Sequence, residues 1–433
     1  MIIKELCGCL FVPQSMEATT FSTTEKLSAS RWMVLVIIVL AQFQIMLVTF
    51  APAAVASPII SDLRLTRTEF GLIISALNIA IMICQVLGSV LVDRAGLKLS
   101  LLSGVAVLGI GAAIMLVVHS LALVLFCRVL QGIGIGICYP VMGALIVAWF
   151  SKREQPYINT IFAAVTFLGI GSGMLVTVGL FHWFNRSWRL ALGTYGFSIL
   201  ATALIWLIIG RNRQGAVSAG ETSAAGATSK TPSSLRKALT MPVICTLVGG
   251  AFAISWVYNM DFSFIPLFLE TKRGISLSEA SRLASLVPFS GVAGVIAFGV
   301  LATRATWRKH LLWTSCAMVL LGSIGLFFGE GATTKVGLLV AGFGLSGWLP
   351  VLNTYIMSLP SMTPSLMAAF VVLVNMAIYM AGFISPLAVG WLSQRSFGLR
   401  NSLALFSWIE LVAILMFMRL PTIARDLGEA NVH

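Results

Sequence analysis

Ionisable side chains inside apolar stretches are the residues of this sequence whose type and position best suit chemistry. Arg128 lies within one long apolar run, and Asp261 and Glu410 lie within two others. A charged group in the middle of a bilayer is costly, so it faces a partner, a water-filled path or a substrate. The three residues therefore indicate that ions or solutes are handled inside a membrane.

The composition supports a membrane location. Of the 433 residues, 58% are hydrophobic and 10% are charged, whereas a soluble domain carries about 25% charged residues. One helix crosses a bilayer with about 20 mostly apolar residues, so a chain of this length holds about a dozen spans. The net charge of +13 does not indicate nucleic-acid binding, because the basic residues fall between apolar runs and are topology signals.

Apolar runs separated by charged, Gly or Pro residues predict twelve transmembrane helices in an all-α integral membrane protein. We expect the long fifth and eleventh runs to include loop residues. The predicted spans are 31–57, 69–92, 99–118, 121–149, 156–181, 188–210, 241–268, 283–302, 311–328, 335–358, 365–393 and 401–419.

The spans form two bundles of six helices with polar segments around them. The linker between the bundles is rich in Ala, Ser, Gly and Thr, which predicts a flexible tether. The excess of Lys and Arg in alternate segments places both termini in the cytoplasm. The expected domains are an N-terminal tail (1–30), a first bundle (31–210), a linker (211–240), a second bundle (241–419) and a C-terminal tail (420–433).

The two bundles share residues that recur 210 positions apart. Six residues of the first bundle have an identical or similar partner in the second: Leu91, Arg94, Lys98, Gly132, Gly134 and Pro140. Their partners are Leu301, Arg304, Arg308, Gly342, Gly344 and Pro350. Two related membrane halves with a site at their interface are the architecture of a secondary transporter. We therefore expect a carrier and not an enzyme.

Three motifs stand out, and the first is the segment RVLQGIGIG, from Arg128 to Gly136. The second is the pair Trp188 and Arg189, which opens the sixth span. With the third, they make the chain resemble the major facilitator superfamily over residues 31 to 419, whose RxxQGxG signature the first segment matches. The resemblance implies a pseudo-symmetric pair of six-helix bundles, a monomer, and a central cavity formed by spans 1, 4, 7 and 10.

The third motif is the loop after the second span, which resembles the signature GxxxDRxGRK. Its matching residues are Asp93, Arg94, Gly96 and Lys98, whereas Ser89 and Leu97 depart from the pattern. The resemblance implies that Asp93 latches the cytoplasmic side shut by contacting the start of the eleventh span. There Thr363 suits the N-cap and Pro364 the first helical position. The alternative is that Asp93 pairs on the surface with Arg94 or Arg153.

The corresponding loop of the second bundle keeps the basic residues Arg304 and Arg308, which we assign to gating. Thr303 and Thr306 stand where the first loop has its acid and its glycine. A mirrored latch near Pro156 is therefore expected to be weaker, so the gate is asymmetric.

Arg128 is the strongest candidate for a site residue, and Gln131 lies on the same helical face. Two interpretations remain open. Arg128 either holds an anionic substrate, or it is buried against backbone carbonyls as a structural or proton-coupling element.

Asp261 is the acid with the better claim to function, because the resemblance places the seventh span at the cavity and the twelfth, with Glu410, at the periphery. Tyr258 lies one turn before Asp261 on the same face, and Asn259 is close by. Asp261 either exchanges a proton during transport or simply reaches water outside the membrane.

Other polar or aromatic side chains at cavity-forming positions complete the candidate pocket. Each of them serves either ligand binding or hydrogen bonding between helices. They are Gln42, Gln44, Asn78, Gln85, Trp348, Asn353, Tyr355, Asn375 and Tyr379. No zinc spacing, phosphate-binding loop or nucleophile elbow occurs, so no metal or cofactor is predicted, and the seven cysteines read as small apolar packing residues.

The leading functional hypothesis is proton-coupled uptake of a small organic anion, such as a carboxylate, across the cell membrane. The segment AWFSKREQ resembles the junction common among anion-carrying relatives, and the fifth span lacks the glycine-proline signature of drug exporters. One alternative is a proton-driven exporter of hydrophobic compounds, whose adaptable pocket the 18 methionines and 26 phenylalanines would line. The other is a membrane receptor or scaffold that moves no solute. The expected partners are the substrate, the proton and the lipid bilayer.

Overall fold

A computed structural model describes residues 30–151, 153–210, 231–359, 362–395 and 397–422. The predictions for the N-terminal tail, for linker residues 211–230 and for the last eleven residues lie outside the described residues. Two short 3-10 helices (Ile114–Val117 and Ala305–Trp307) accompany the α-helices. The α-helices are α1 (Ser30–Ala54), α2 (Ala56–Asp62), α3 (Arg67–Ala113), α4 (Leu121–Trp149), α5 (Gln155–Trp183), α6 (Trp188–Ile209), α7 (Thr231–Thr240), α8 (Pro242–Arg273), α9 (Leu277–Ala284), α10 (Leu286–Leu301), α11 (Arg308–Phe328), α12 (Ala332–Met357), α13 (Pro364–Gln394), α14 (Gly398–Ser407) and α15 (Glu410–Met418).

The described helices cross the membrane twelve times, as the hydropathy pattern predicts. Eleven helical segments are long and apolar enough to span a bilayer, and α3 accounts for two crossings. Its 47 residues extend for about 70 Å at 1.5 Å per residue, more than twice the hydrocarbon thickness. Gly96, at φ 75° and ψ 170°, breaks the helix and turns the chain back, which only glycine does at low cost.

Several spans begin where the side chains supply caps. Thr66 and Glu69 form a reciprocal capping box at the start of α3. Ser120 and Ser187 accept hydrogen bonds from the third residues of α4 and α6. These side chains satisfy N–H groups that a helix start leaves without partners.

Two expectations about helix limits are wrong. The fifth and eleventh spans contain no loop, because α5 and α13 are uninterrupted helices of 29 and 31 residues. Their lengths, about 44 and 46 Å, are accommodated in a thinner bilayer by tilt. Residues 231–240, expected to be flexible, form helix α7, whose segment LRKAL consists of strong helix formers.

Both lobes pack their second and fourth spans through the repeated glycines. A Cβ on Gly132 would lie 2.6 Å from the carbonyl oxygen of Leu77. In the second lobe, a Cβ on Gly342 would meet the carbonyl oxygen of Val287. Leu77 and Val287 are themselves 210 positions apart, so the close helix contact is repeated residue for residue.

The contact between the third and fourth spans is also repeated in the two lobes. A Cβ on Gly134 would lie 2.5 Å from the backbone nitrogen of Leu108, and one on Gly344 would lie 3.0 Å from the Cβ of Met318. Leu108 and Met318 are again separated by 210 positions. The sequence repeat therefore reflects two pseudo-symmetric six-helix lobes with the same internal packing.

The lobes meet in one half of the membrane. We call the face at which α1 begins and α15 ends the termini face, and the opposite one the distal face. Arg67 donates to the carbonyl oxygen of Ser393 (3.1 Å), and His182 lies 2.9 Å from the hydroxyl of Ser278, both near the distal face. Nearer the centre, the Asn78 amide donates to the carbonyl oxygen of Gly382 (3.1 Å).

In the termini half, the described residues form no hydrogen bond between the lobes. The described hydrogen bonds between the lobes therefore hold the distal half and the centre together.

Candidate functional site

Four aromatic rings from both lobes meet between the lobes, and we call them the central aromatic cluster: Phe50 of α1, Phe167 of α5, and Tyr258 and Phe262 of α8. The ring centroids of Tyr258 and Phe262 are 4.7 Å apart, and those of Phe50 and Phe262 are 5.3 Å apart. Tyr258 also contacts Phe50 and Phe167 edge to face, at 6.1 and 6.3 Å. One tyrosine of the second lobe thus packs on two rings of the first.

Hydroxyl and amide groups lie beside this cluster. Tyr139 of α4, Tyr258 and Tyr379 of α13 are partly exposed and close enough to interact electrostatically. The side chain of Gln85 interacts with the Tyr379 hydroxyl. With the central aromatic cluster, these groups form what we call the polar-aromatic site, which can bind a flat or apolar body and hydrogen-bond a polar head.

Arg128 lies away from this site, inside the first lobe. Its side chain is completely buried, and the space beside it amounts to about 10 Å³. Its guanidinium donates four hydrogen bonds: to the carbonyl oxygens of Val48 (3.2 Å), Thr49 (2.8 Å) and Ile73 (3.2 Å) and to the side-chain oxygen of Gln131 (2.9 Å). These contacts favour the structural interpretation of Arg128 over substrate binding.

The donor groups of several other candidates make hydrogen bonds within the protein. In each case the donor lies within hydrogen-bonding distance of a protein acceptor. The pairs are Gln131 with Gly111 O, Gln44 with Ser198 O, Gln42 with Thr166 Oγ1, Asn259 with Ser255 O, Asn78 with Gly382 O, and Tyr355 with Pro421 O. Asn353 and Asn375 are partly exposed, and Trp348 is buried.

Asp261 faces the interior of the second lobe. It is 0% exposed, so the alternative that it reaches water outside the membrane is wrong. It interacts with Glu410 of α15, also 0% exposed, and Cys316 of α11 contacts Glu410. α8 packs tightly on α15 there, because a Cβ on Gly250 would strike the ring of Phe417.

An acid that the sequence analysis missed anchors the distal face. Asp62, the last residue of α2, accepts hydrogen bonds from Arg189 (2.7 Å) and from the indole of Trp188 (3.1 Å). Burial pushes the pKa of Asp62 upward, but these hydrogen bonds outweigh it and hold the pKa below its ordinary value of 3.8. Trp188 opens α6 as expected, and the Trp188-Arg189 pair joins α6 to the α2 turn.

A cavity of about 660 Å³ opens beside this anchor, between the lobes at the distal face. Its lining includes Arg186, Glu270 and Ser278. It is separated from the polar-aromatic site by the interlobe contacts of the distal half.

The described residues place a polar-aromatic site between two repeated six-helix lobes. The family model of the Major Facilitator Superfamily matches residues 35–386. The chain belongs to the Major Facilitator Superfamily. It is therefore a multi-pass membrane transporter and not an enzyme, as the repeat and the motifs predict.

Two similar proteins are named as transporters of organic acids, one of them as a probable transporter. The chain is 26% identical over 369 residues to a probable sulfoacetate transporter of Cupriavidus necator, covering 79% of this chain and 83% of that one. It is 25% identical over 366 residues to a gallate transporter of Pseudomonas putida, covering 76% and 78%.

A solved structure shares the superfamily fold. It is a bacterial homologue of the human lysosomal transporter Spinster in an inward-facing, unoccupied conformation. Its TM-score is 0.76 at 16% identity, with 90% of this chain and 97% of that one covered.

The side chains of Asp93 and Arg94, in the loop that resembles the superfamily signature, form no hydrogen bond or ion pair with described residues of the other lobe. Asp93 and Arg94 are exposed, and Asp93 makes no hydrogen bond or ion pair with a described residue. Thr363 caps α13 through the N–H of Leu366 (3.3 Å), as predicted. The latch is expected only when the termini face is closed, so it stays a prediction.

In the matching loop of the second lobe, the two arginine side chains contact residues of the same loop. Arg304 stacks over the ring of Trp307 (5.5 Å), and Arg308 donates to the carbonyl oxygen of Ala302 (2.9 Å). At the start of α5, Glu154 bonds to Arg31 of α1 (3.2 Å). The mirrored latch is not formed here.

Sequence reasoning also missed Phe50, Phe167, Tyr139 and Phe262. Tyr258 and Phe262 are four residues apart and share a helical face, which was a readable signal. Tyr139 directly precedes the repeated proline Pro140. Phe50 and Phe167 had no such signal, because phenylalanine also suits a lipid-facing position.

Proposed function

We propose that this protein is a secondary active transporter that takes up a small organic anion by alternating access, with the proton as coupling ion. The observation that carries the proposal is the arrangement of the two lobes. They are joined by hydrogen bonds in the distal half, and the described residues give none in the termini half, with the polar-aromatic site between them. A site reached from one face at a time is what alternating access requires.

The orientation follows from charge. Lys and Arg are more frequent in the segments that share a face with both termini, which favours a cytoplasmic termini face. The structure then corresponds to the state that releases an imported solute, and the distal cavity corresponds to the closed outer entrance.

The chemistry of the site supports an organic acid with an aromatic or apolar body. The relatives named above are a probable sulfoacetate transporter and a gallate transporter. The central aromatic cluster can pack on a ring, and the hydroxyls of Tyr139, Tyr258 and Tyr379 can donate to a carboxylate. Arg128 is already bonded four times within its lobe, so recognition rests on neutral donors, which suits one carboxylate better than two.

Proton coupling is supported by the positions of the cationic side chains. The other arginines and lysines of the described spans lie at helix ends or turns, away from the centre of the membrane. An anion that crosses without a fixed counter-charge is costly in a medium of low dielectric constant. A proton carried with it removes that cost.

Uptake by proteoliposomes tests the proposal. We would compare radiolabelled gallate, benzoate, sulfoacetate and galacturonate with and without an inward proton gradient, using vesicles without protein as the control. Gradient-driven accumulation of at least one acid, with the aromatic acids preferred, is expected.

Two other outcomes would favour the alternatives. Outward movement of a hydrophobic cationic dye driven by protons, without acid uptake, would favour the exporter. Saturable binding of an acid without any flux would favour a receptor or scaffold.

A further inference from the structure

The second lobe contains two acids that nothing in the described structure neutralises. The carboxyl groups of Asp261 and Glu410 are both fully buried and interact with each other. Neither oxygen of Asp261 has a hydrogen-bond partner among the described residues, and the side chain placed to bond to Glu410 is the weak donor Cys316. Buried polar groups are nearly always satisfied, so two buried carboxyl groups with such poor partners call for a ligand.

The surroundings narrow the identity of that ligand. Cys316 from α11 is the other ionisable side chain in contact with Glu410. Within the described part of the chain, no hydrogen bond or ion pair brings a lysine, arginine or histidine to either acid. No group of three His, Cys, Asp or Glu side chains there could hold a metal ion. Two adjacent carboxylates cannot both remain charged in such a place, and a proton is the smallest ligand that satisfies them.

The internal repeat shows that the lobe architecture does not require these acids. The positions 210 residues earlier are Ala51 and Leu200, so the first lobe fills the equivalent places with apolar side chains. The acids are an addition to the second lobe alone.

The pair is also connected to the substrate site. Asp261 lies on α8, three residues after Tyr258 and next to Phe262, which belong to the central aromatic cluster. Glu410 follows a tightened turn at Trp408 and Ile409 between α14 and α15, and such turns often mark hinges within a span. Asp261 therefore lies on the helix that carries two rings of the site, and Glu410 lies beside a turn within its own span.

We propose that Asp261 and Glu410 form a shared proton-binding site through which proton movement is coupled to transport. The inference rests on the proposed transport function. One of the two carboxyls takes a proton from water, and the negative charge of the other favours that protonated form. When the lobes reorient, the same proton returns to water on the opposite face, so no other reactant is consumed.

The first experiment examines proton binding without any substrate. Infrared difference spectra of the purified protein, recorded during a pH titration, report the C=O stretch of protonated carboxyl groups. We expect a band that disappears in Asp261→Asn and shifts in Glu410→Gln, because the two groups share one proton. Glu330→Gln, which alters an exposed acid outside the site and the gate, is the matched control and leaves the band unchanged. A wild-type spectrum in which neither substitution changes the band would overturn the proposal.

The second experiment separates coupling from folding. The double variant Asp261→Ala, Glu410→Leu carries the residues that the first lobe has at these positions. We expect it to retain counterflow of labelled gallate between loaded vesicles but to lose accumulation driven by a pH gradient. Accumulation that is retained in the double variant would contradict the proposal. If the wild type shows no counterflow with any of the acids, the transport function is refuted. The infrared experiment then decides by itself whether the two acids bind a proton. If the double variant does not fold, the conservative pair Asp261→Asn, Glu410→Gln replaces it.

Discussion

The guanidinium of Arg128 donates a hydrogen bond of 3.2 Å to the carbonyl oxygen of Val48, whose usual donor within the helix is missing. That carbonyl would normally accept from the N–H four residues later, but residue 52 is a proline inside α1 and has no N–H. Arg128 therefore replaces a helical hydrogen bond and joins α1 to α3 and α4.

We expect Arg128→Met to lower the free energy of unfolding by about 2 to 4 kcal/mol, because it leaves buried carbonyl oxygens unsatisfied. The measurement is unfolding in mixed micelles of increasing SDS content. Pro52→Ala restores an N–H opposite Val48, so when it is combined with Arg128→Met it should recover about 1 kcal/mol. Pro52→Ala alone, without Arg128→Met, should raise the free energy of unfolding by a smaller amount. A variant Arg128→Met that is stable but binds no acid would instead show that Arg128 contacts substrate.

Tyr379 is expected to bind the carboxylate of the substrate. Its hydroxyl lies at the lobe interface beside Gln85, and a hydrogen bond to a charged group contributes about 1.5 to 3 kcal/mol. Tyr379→Phe should therefore weaken the binding of gallate by about tenfold or more, which is 1.4 kcal/mol per factor of ten. Calorimetry in detergent measures the affinity.

The matched control for that change is Tyr355→Phe. The Tyr355 hydroxyl bonds to the carbonyl oxygen of Pro421 (2.9 Å), so its loss should alter stability and leave gallate affinity unchanged. Equal effects of the two substitutions on affinity would contradict the assignment of Tyr379.

Gln394 is expected to hold the distal face closed. In the orientation that satisfies its amide, its oxygen accepts from the backbone N–H groups of Arg67 (2.7 Å) and Thr68 (2.9 Å), capping α3 of the other lobe. Gln394→Met should destabilise the closed distal face by about 1 to 3 kcal/mol. Distances between spin labels across that face should then show a larger distal-open population.

Gln155→Met is the matched control for the distal cap. Gln155 donates to Phe150 within the first lobe (3.1 Å), so its substitution should not change the distances between the lobes. Unchanged label distances in both variants would show that the cap does not hold the face.

Asp93 is expected to act in the opposite state. When the termini face closes, its carboxylate can reach the N-terminus of α13, where a negative charge is stabilised by about 0.3 to 1 kcal/mol at an exposed site. Asp93→Asn should slow transport and enlarge the termini-open population in the same label measurement. Glu330→Gln, an exposed acid on the distal side, should do neither.

The fold could be predicted from the sequence because its signals are local. Apolar runs give the spans, and the shared register of Gly132 with Gly342 gives the two lobes. The site was predicted less well. The partners of Arg128 are backbone carbonyls, which residue types do not reveal, although Pro52 indicated an unpaired carbonyl nearby.

Most of the site features that the sequence did not predict arise from contacts between residues that are far apart in the chain. Asp261 and Glu410 belong to the first and last spans of their lobe, and only the fold brings them together. Phe50 and Phe167 are indistinguishable from lipid-facing residues until the lobes are placed side by side. Hydropathy identifies which residues are in the membrane but not which of them face the partner lobe.

Asp62 gives a prediction with a defined pH dependence. Its pKa in the folded protein lies below the ordinary 3.8, so the ionised form is stabilised by folding. That contribution is complete above pH 3.8 and is lost as the pH falls through the lower folded value. Because the pair with Arg189 is partly exposed, Asp62→Asn should cost at most about 1 kcal/mol at pH 7. The difference from wild type should shrink below pH 3.8 when SDS unfolding is followed at both pH values, while Glu330→Gln shows no difference at either. A cost that is the same in acid and at neutral pH would mean that Asp62 contributes through packing and not through its charge.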